Sequence, residues 1–152
     1  MPYHPMGNDE LVALLTSRPP HTGKLATMRV DGRPHVAPIW FTLDPSVELG
    51  SPIGAIVFTT GADTLKGKAL RRDPRASLCV DDERPPFSFV TIEGVVAISE
   101  DLDEVAHWAA VIGGRYMGQP RAEEFGRRNG VPGELLVRLR PTHIVSAAEV
   151  AG

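Results

Sequence analysis

The sequence predicts a mainly β fold of the α+β class, in which a six-stranded antiparallel barrel carries peripheral helices. Two observations lead to this prediction. The chain holds 15 Gly and 14 Pro among 152 residues, and this content favours many turns over a helical bundle. Most connections between its apolar runs are too short for the crossovers of a parallel sheet, so neighbouring strands should be antiparallel. A length of 152 residues is typical of one domain, which we expect to span residues 1–152.

The sequence of the N-terminal part predicts a helix that is followed by a β-hairpin. Asn8 is a suitable N-cap, and an apolar stripe follows it. After Gly23 the apolar residues alternate with a period of two, and Asp31-Gly32 provides a turn before a second strand, residues 35–42. Pro38 in that strand cannot donate a backbone hydrogen bond, so it should lie in an edge strand or at a bulge. The local pattern leaves both alternatives open.

The remaining elements follow from apolar periodicity and turn residues. Residues 44–52 are typical of a loop, and the long strand near the middle of the chain should bend at Gly94. Asp101 or Asp103 is a suitable cap for the longest helix. The expected strands are residues 55–60, 76–80, 87–99 and 134–139, the last extended by residues 143–147, and the expected late helices are residues 101–117 and 123–128.

The stretch from Thr59 to Val80 has the composition of an anion-binding corner. A strand ends at Thr59-Thr60, and Asp63-Thr64 can cap a helix whose first turns carry Lys66 and Lys68. Hydroxyls, free N–H groups and the positive end of a helix dipole all favour a phosphate there. The alternative is a basic helix whose charges are simply solvated.

Several other kinds of function are disfavoured by composition and motif content. A net charge of −3 and a pI of about 5.9 do not suit nucleic-acid binding, so the basic cluster better matches a small anion. The five histidines lack the spacing of metal ligands. Because Cys79 is the single cysteine, the chain cannot form an intrachain disulfide. No catalytic motif is present, so catalytic residues stay unassigned, and a bound cofactor should supply any reactivity. The sequence contains no run of about 20 apolar residues, the length needed to span a membrane, which favours a cytoplasmic protein.

Four segments, in this order, resemble a known superfamily. They are LATMRVDGRPHVAPIWFTLD, VFTT, TLKGKALRRDPRASLCVDD and TIEGVVAI. The chain from about residue 8 to residue 147 resembles the FMN-binding, split-barrel flavin and deazaflavin oxidoreductases that include pyridoxamine 5'-phosphate oxidase. The segment from Lys66 to Val80 more narrowly resembles the branch that uses the deazaflavin coenzyme F420. Residues 135–141 lack the Arg- and Trp-containing pattern of true pyridoxamine phosphate oxidases, which argues against that substrate.

The resemblance implies a six-stranded antiparallel split β-barrel that forms a homodimer, with the cofactor at the subunit interface. Lys66 and Lys68 would bind its phosphate, and Thr59 and Thr60 would hydrogen-bond phosphate or ribityl oxygens. The ring-facing residues would be Pro38, Ile39 and Trp40, together with Phe87 and Phe89, which would come from the partner subunit. Four arginines are candidates for an anionic cofactor tail, unless they form a solvated face: Arg115, Arg121, Arg127 and Arg128.

The resemblance also implies an activity. We expect an F420-dependent reductase that transfers a hydride from the reduced deazaflavin to an unsaturated or conjugated small-molecule substrate. An FMN-binding oxidoreductase of the same fold is one alternative. A non-catalytic flavin or F420 carrier protein is another.

Overall fold

A computed structural model of the chain describes residues 4–47 and 51–152. The described residues form seven strands and four α-helices. The strands are β1 (Gly23–Met28), β2 (Pro34–Ile39), β3 (Thr42–Asp44), β4 (Ala55–Gly61), β5 (Arg75–Asp82), β6 (Ser88–Ser99) and β7 (Glu134–Ala147). The helices are α1 (Asn8–Leu15), α2 (Leu65–Arg72), α3 (Leu102–Met117) and α4 (Ala122–Asn129), and a 3-10 turn at Gln119–Arg121 precedes α4.

The strands form one antiparallel sheet that curls into a barrel. Their order is β2-β1-β5-β6-β7-β4-β3, and every pairing is antiparallel. The two edge strands, β2 and β3, are joined only by Trp40-Phe41. Since consecutive Cα atoms are 3.8 Å apart, Ile39 and Thr42 lie within about 11 Å of each other, which brings the two edges together. The sheet therefore closes on itself without pairing β2 to β3, as in a split barrel.

The predicted fold class is confirmed, but the predicted count of six strands is wrong by one. The expected strand over residues 35–42 divides into β2 and β3 because Phe41 turns its backbone away from the sheet. The Phe41 N–H donates to Tyr116 Oη at 3.3 Å, and the Phe41 carbonyl accepts from Arg115 Nη1 at 2.6 Å. A residue whose backbone groups are bonded to α3 cannot continue a strand ladder.

Other helix and strand predictions are confirmed with small shifts, whereas the predicted loop over residues 44–52 lies partly outside the described residues and its first residue, Asp44, belongs to β3. Pro38 lies in the edge strand β2, paired with Lys24, as one of its two alternatives predicted. The register between β6 and β7 shifts at Glu93/Gly94. A Cβ at Gly94 would lie 2.2 Å from the Arg140 carbonyl oxygen, so only glycine fits there. Helix α1 starts at Asn8 itself, and Gly7 is the N-cap whose N–H donates to Glu10 Oε1 at 3.2 Å.

The main core fills the barrel, and α3 packs on its outside. β4 is buried on both faces, because Ile56 and Phe58 belong to the barrel core while Val57 lies under α3 beside Val105. Asp101 is the N-cap of α3, and its carboxylate accepts the N–H groups of Asp103 and Glu104. No helix within the described ranges is long and apolar enough to cross a membrane.

Candidate cofactor site

A cavity of about 290 Å³ lies between the end of β2, the start of α2 and the helix pair α3 and α4. Pro38, Ile39 and Trp40 form the wall contributed by β2 and the link that follows it. Thr59 from β4 and Lys66 from α2 lie on the same cavity. Segments far apart in sequence therefore converge at one place, and they are segments that the sequence singled out as cofactor contacts.

Hydrogen bonds around Thr64 shape the phosphate corner. The Thr64 hydroxyl accepts the Gly67 N–H at 3.1 Å, which caps α2, and donates to the Gly61 carbonyl at 2.8 Å. A Cβ at Gly67 would lie 2.2 Å from the Gly61 carbonyl oxygen, so glycine allows the helix to start this close to β4. The first-turn N–H groups of α2 at Leu65 and Lys66 lack intrahelical partners and are available to an anion.

Thr59 and Thr60 have different surroundings. Thr60 is buried, and its hydroxyl lies 3.0 Å from the Thr64 hydroxyl. When Thr64 donates its single proton to the Gly61 carbonyl, Thr60 donates to Thr64, and its own proton is engaged at the helix cap. Thr59 lines the cavity instead. The geometry thus gives Thr60 a supporting role at the helix cap and leaves Thr59 as the threonine that faces a ligand.

The four basic residues of α2 also differ in their burial and in their partners. Lys66 is half-buried and lines the cavity, whereas Lys68 is exposed and does not line it. Arg71 is ion-paired with Glu100, and Arg72 donates to the Met28 carbonyl at 2.7 Å. Lys66 is therefore the one cation of α2 at the cavity.

Two carboxylates lie close to the corner: Asp63, which the sequence indicated only as part of a helix cap, and Glu134, which was not predicted. Glu134 starts β7 opposite Gly61, and both Asp63 Oδ1 and Glu134 Oε1 lie within 4 Å of the position that a Gly61 Cβ would occupy. Burial raises the pKa of Glu134, the charge of Asp63 raises it further, and Lys66 opposes both effects. Only the pairing of β4 with β7 brings Glu134 here, so no local sequence signal could have identified it.

An aromatic cluster supports the apolar wall. The Trp40 ring stacks on Tyr116 with a centroid distance of 5.1 Å and an interplanar angle of 3°, and it meets Phe125 edge-on at 5.8 Å. The Tyr116 hydroxyl donates to the His21 carbonyl at 2.7 Å, which fixes the ring beneath Trp40. One face of Trp40 is thus covered by its own chain.

The late helices supply cavity residues that sequence reasoning did not place. α3 contributes Ala109, Ile112 and Gly113, and α4 contributes Phe125, Arg128 and Asn129. The sequence predicted α3 as a capped helix without a role at the site for its three cavity residues, and Arg128 is one of the four candidate arginines for an anionic tail. Helical periodicity shows which face of a helix is apolar, but not which part of that face borders a cavity.

Phe87 and Phe89, predicted as ring contacts from a partner subunit, lie elsewhere in this chain. Phe87 is 42% exposed and lines a separate depression with Arg84 and Pro86. Phe89 lies in β6, in register with Asp81 of β5. Neither residue borders the cavity at Lys66 in the same chain.

Arg115 has a structural role rather than one in this cavity. Its guanidinium donates to the Phe41 and Leu15 carbonyls at 2.6 Å each, and it lies 4.9 Å from the Phe41 ring centroid. Burial lowers its pKa, as expected for a cation that leaves water. Arg115 holds α3 against α1 and the β2–β3 link.

The site combines an apolar, partly aromatic wall with a cationic corner that offers a hydroxyl and free N–H groups. These features fit a flavin-like cofactor, whose ring is flat and apolar and whose chain ends in a phosphate. No group of three or more His, Cys, Asp or Glu side chains suited to a metal is found in residues 4–47 and 51–152.

Comparisons with known proteins agree with the fold. The model of the pyridoxamine 5'-phosphate oxidase family matches residues 8–146. An F420H2-dependent biliverdin reductase of Mycobacterium tuberculosis is 34% identical over 98 residues, a match that covers 64% of this chain and 64% of that protein.

Solved structures extend this agreement to the arrangement of the elements. A conserved hypothetical protein of M. tuberculosis superposes with a TM-score of 0.75 at 26% identity, over 95% of this chain and 86% of that one. A protein described as an F420 reductase superposes with a TM-score of 0.64 at 26% identity, over 87% and 93% of the two chains. The resemblance noted in the sequence is confirmed, and the chain belongs to the pyridoxamine 5'-phosphate oxidase family.

Proposed function

We propose that this protein is an F420-dependent reductase, which passes a hydride from the reduced deazaflavin to an unsaturated or conjugated organic substrate. The observation that carries the proposal is the convergence of Pro38, Ile39, Trp40, Thr59 and Lys66 on one cavity. Two similar proteins, the biliverdin reductase and the F420 reductase, are named for this cofactor, which supports the choice of a deazaflavin.

The protein's contribution is binding and orientation. Lys66, the Thr59 hydroxyl and the first-turn N–H groups of α2 would hold the phosphate. Pro38, Ile39 and Trp40 would hold the ring, and the stacked Tyr116 prevents Trp40 from rotating away. When bound, a reduced deazaflavin supplies the hydride, so no side chain of this chain has to act as a nucleophile. The walls from α3 and α4 would exclude water from one side of a bound ring.

A homodimer belongs to the same proposal. The cavity is open, and Phe87 and Phe89 can reach such a site only from a second copy, because they lie away from the cavity of their own chain. The outer face of the sheet supports such a contact. It exposes Val36 by 63%, Val95 by 42% and Val145 by 48%, and it also carries the exposed charged residues Arg75 and Glu93.

The test of the proposed function is a pair of fluorescence titrations of the purified protein, one with F420 and one with FMN. Tighter binding of F420 than of FMN is expected. Turnover is then measured with reduced F420 and a panel of enones, quinones and biliverdin. Tighter binding of FMN would favour the alternative FMN-binding oxidoreductase. Binding of F420 without turnover of any acceptor would favour a carrier.

A further inference from the structure

The three arginines at α4 have different partners. Arg121 is ion-paired with Glu124 at 2.6 Å, and Arg127 lies 3.6 Å from Glu123. Arg128 has no acidic partner within 4 Å among the residues that the structure describes, and its guanidinium carbon lies 5.8 Å from the centroid of the Phe125 ring. Of the three, only Arg128 lines the cavity. Glutamates of the same helix thus pair with two of the arginines, and the third, Arg128, is left at the cavity.

Glycines fix the position of α4 beside the cavity. A Cβ at Gly113 would lie 2.5 Å from Phe125 Cβ, and one at Gly130 would lie 2.6 Å from Ala106 Cβ. α3 and α4 therefore pack at closer range than larger residues would allow, and Phe125 is only 6% exposed. Because Phe125 is held in this way, its ring restricts where the guanidinium of Arg128 can lie.

The charges that line the cavity have one sign. Its charged lining residues are Lys66 on the α2 side and Arg128 on the α4 side, and none of the lining residues is acidic. Neither cation forms a salt bridge within the described part of the chain. Two cations from different elements on one cavity favour an anionic ligand that both can contact.

We propose that Arg128 is a second anion anchor beside Lys66, which binds a carboxylate or phosphate of the ligand at the α4 wall of the cavity. A guanidinium suits this task because its planar N–H groups can pair with two oxygens of one anion. The inference rests on the proposed function for the identity of the ligand. The anion can belong to the cofactor, or to a carboxylated conjugated substrate.

The first experiment does not depend on the proposed function. Inorganic pyrophosphate is titrated by calorimetry at low salt into the wild type and into the Arg128→Ala, Arg128→Lys and Arg127→Ala variants. Loss of one charge-assisted contact should weaken binding roughly tenfold or more in Arg128→Ala, and less in Arg128→Lys. Arg127→Ala is the matched control, since it removes a neighbouring charge that already has a partner. Equal binding by Arg128→Ala and Arg127→Ala would overturn the inference.

Two further measurements determine whether the anion bound by Arg128 belongs to the cofactor or to the substrate. If it belongs to the cofactor, Arg128→Ala raises the Kd for F420 while Arg127→Ala does not. If it belongs to the substrate, Arg128→Ala raises the KM for biliverdin but not that for its dimethyl ester, which has no carboxylates. A wild type that binds neither F420 nor FMN would contradict the proposed function, and the pyrophosphate titration would still decide the role of Arg128.

Discussion

At the scale of single residues, the surroundings of each side chain separate functional candidates from structural ones. The basic run of α2 suggested several phosphate ligands, yet Arg71 and Arg72 are bonded elsewhere and Lys68 is exposed. Lys66 alone in that run lines the cavity. A residue's type makes it a candidate, but its partners decide whether it is free to bind a ligand.

Replacement of Lys66 by alanine should weaken cofactor binding with little change in stability. Because an ammonium near a partly exposed phosphate contributes about 1.5 kcal/mol, we expect a rise in Kd of roughly tenfold. Fluorescence titration with F420 measures the effect, and Lys68→Ala is the matched control. A larger rise in Lys68→Ala than in Lys66→Ala would mean that the phosphate lies outside the cavity.

Asp44 and Arg138 form a partly buried ion pair that connects β3 to β7. Asp44 is 5% exposed and accepts from Ser46 Oγ at 2.6 Å and from Arg138 Nε at 3.2 Å. Arg138 also donates to Glu104 Oε1 at 2.9 Å, so α3 joins the same network. Burial by itself would raise the pKa of Asp44, but the hydrogen bonds from Ser46 and Arg138 outweigh it and hold the pKa below 3.8.

Asp44→Asn should lower the free energy of unfolding at neutral pH by about 2 kcal/mol, since Arg138 loses its buried charge partner and keeps only the more exposed Glu104. A carboxylate whose pKa is depressed by folding stabilises the protein above its unfolded pKa of 3.8, and this contribution disappears as the pH falls through the folded-state pKa. Urea unfolding from about pH 6 to about pH 3 should therefore show the difference between wild type and variant narrowing in acid. If the difference in unfolding free energy between wild type and variant stays constant over this pH range, the Asp44 carboxylate is not the source of that difference.

At the scale of elements, the sequence predicted most helices and strands because each carries its own periodicity and its own caps. The Asp101 and Thr64 caps illustrate this, since a side-chain oxygen before a helix acts within one turn. The division of the second strand was missed because its cause is remote. Arg115 and Tyr116, more than 70 residues away, take the backbone hydrogen bonds of Phe41.

The contact between α3 and α4 depends on Gly113, and replacement of Gly113 by alanine should move the two helices apart. A Cβ 2.5 Å from Phe125 Cβ forces both helices to shift, and overpacking of this kind costs about 1 to 3 kcal/mol. We expect a lower urea midpoint together with weaker cofactor binding, because Phe125 and Arg128 move with α4. Val111→Ala, at a 40% exposed position of α3, is the control. Unchanged stability and affinity in Gly113→Ala would show that the helices can accommodate the added methyl group.

At the scale of the whole molecule, the cavity joins five elements but remains open on one side. Its walls come from β2, β4, α2, α3 and α4, while the aromatic residues of β6 and of the turn before it lie away from it. A second copy is the simplest source of a further wall. The exposed valines of the sheet's outer face offer an apolar surface for that contact.

Light scattering at micromolar concentration should give about twice the chain mass of 16.4 kDa. Val36→Asp, which replaces one of the exposed valines of the outer face by a charge, should shift the protein toward monomer, because burial of an unpaired carboxylate opposes association. Val30→Asp, at an 82% exposed position in the hairpin turn, serves as the control. A wild-type mass of one chain would contradict both the dimer and a cofactor site shared between subunits.

The sequence by itself determined the antiparallel barrel, the capped helices and the likeness to a cofactor-binding family. These conclusions depend on local periodicity, turn residues and motifs, which act over a few residues. Only the tertiary structure decided that Lys66 rather than Lys68 borders the cavity, that Thr60 supports a cap, and that Arg128 joins the site while Arg115 holds the fold together. The physical reason is that hydrogen-bond partners and cavity walls come from segments distant in the chain, and their meeting depends on how the whole sheet closes.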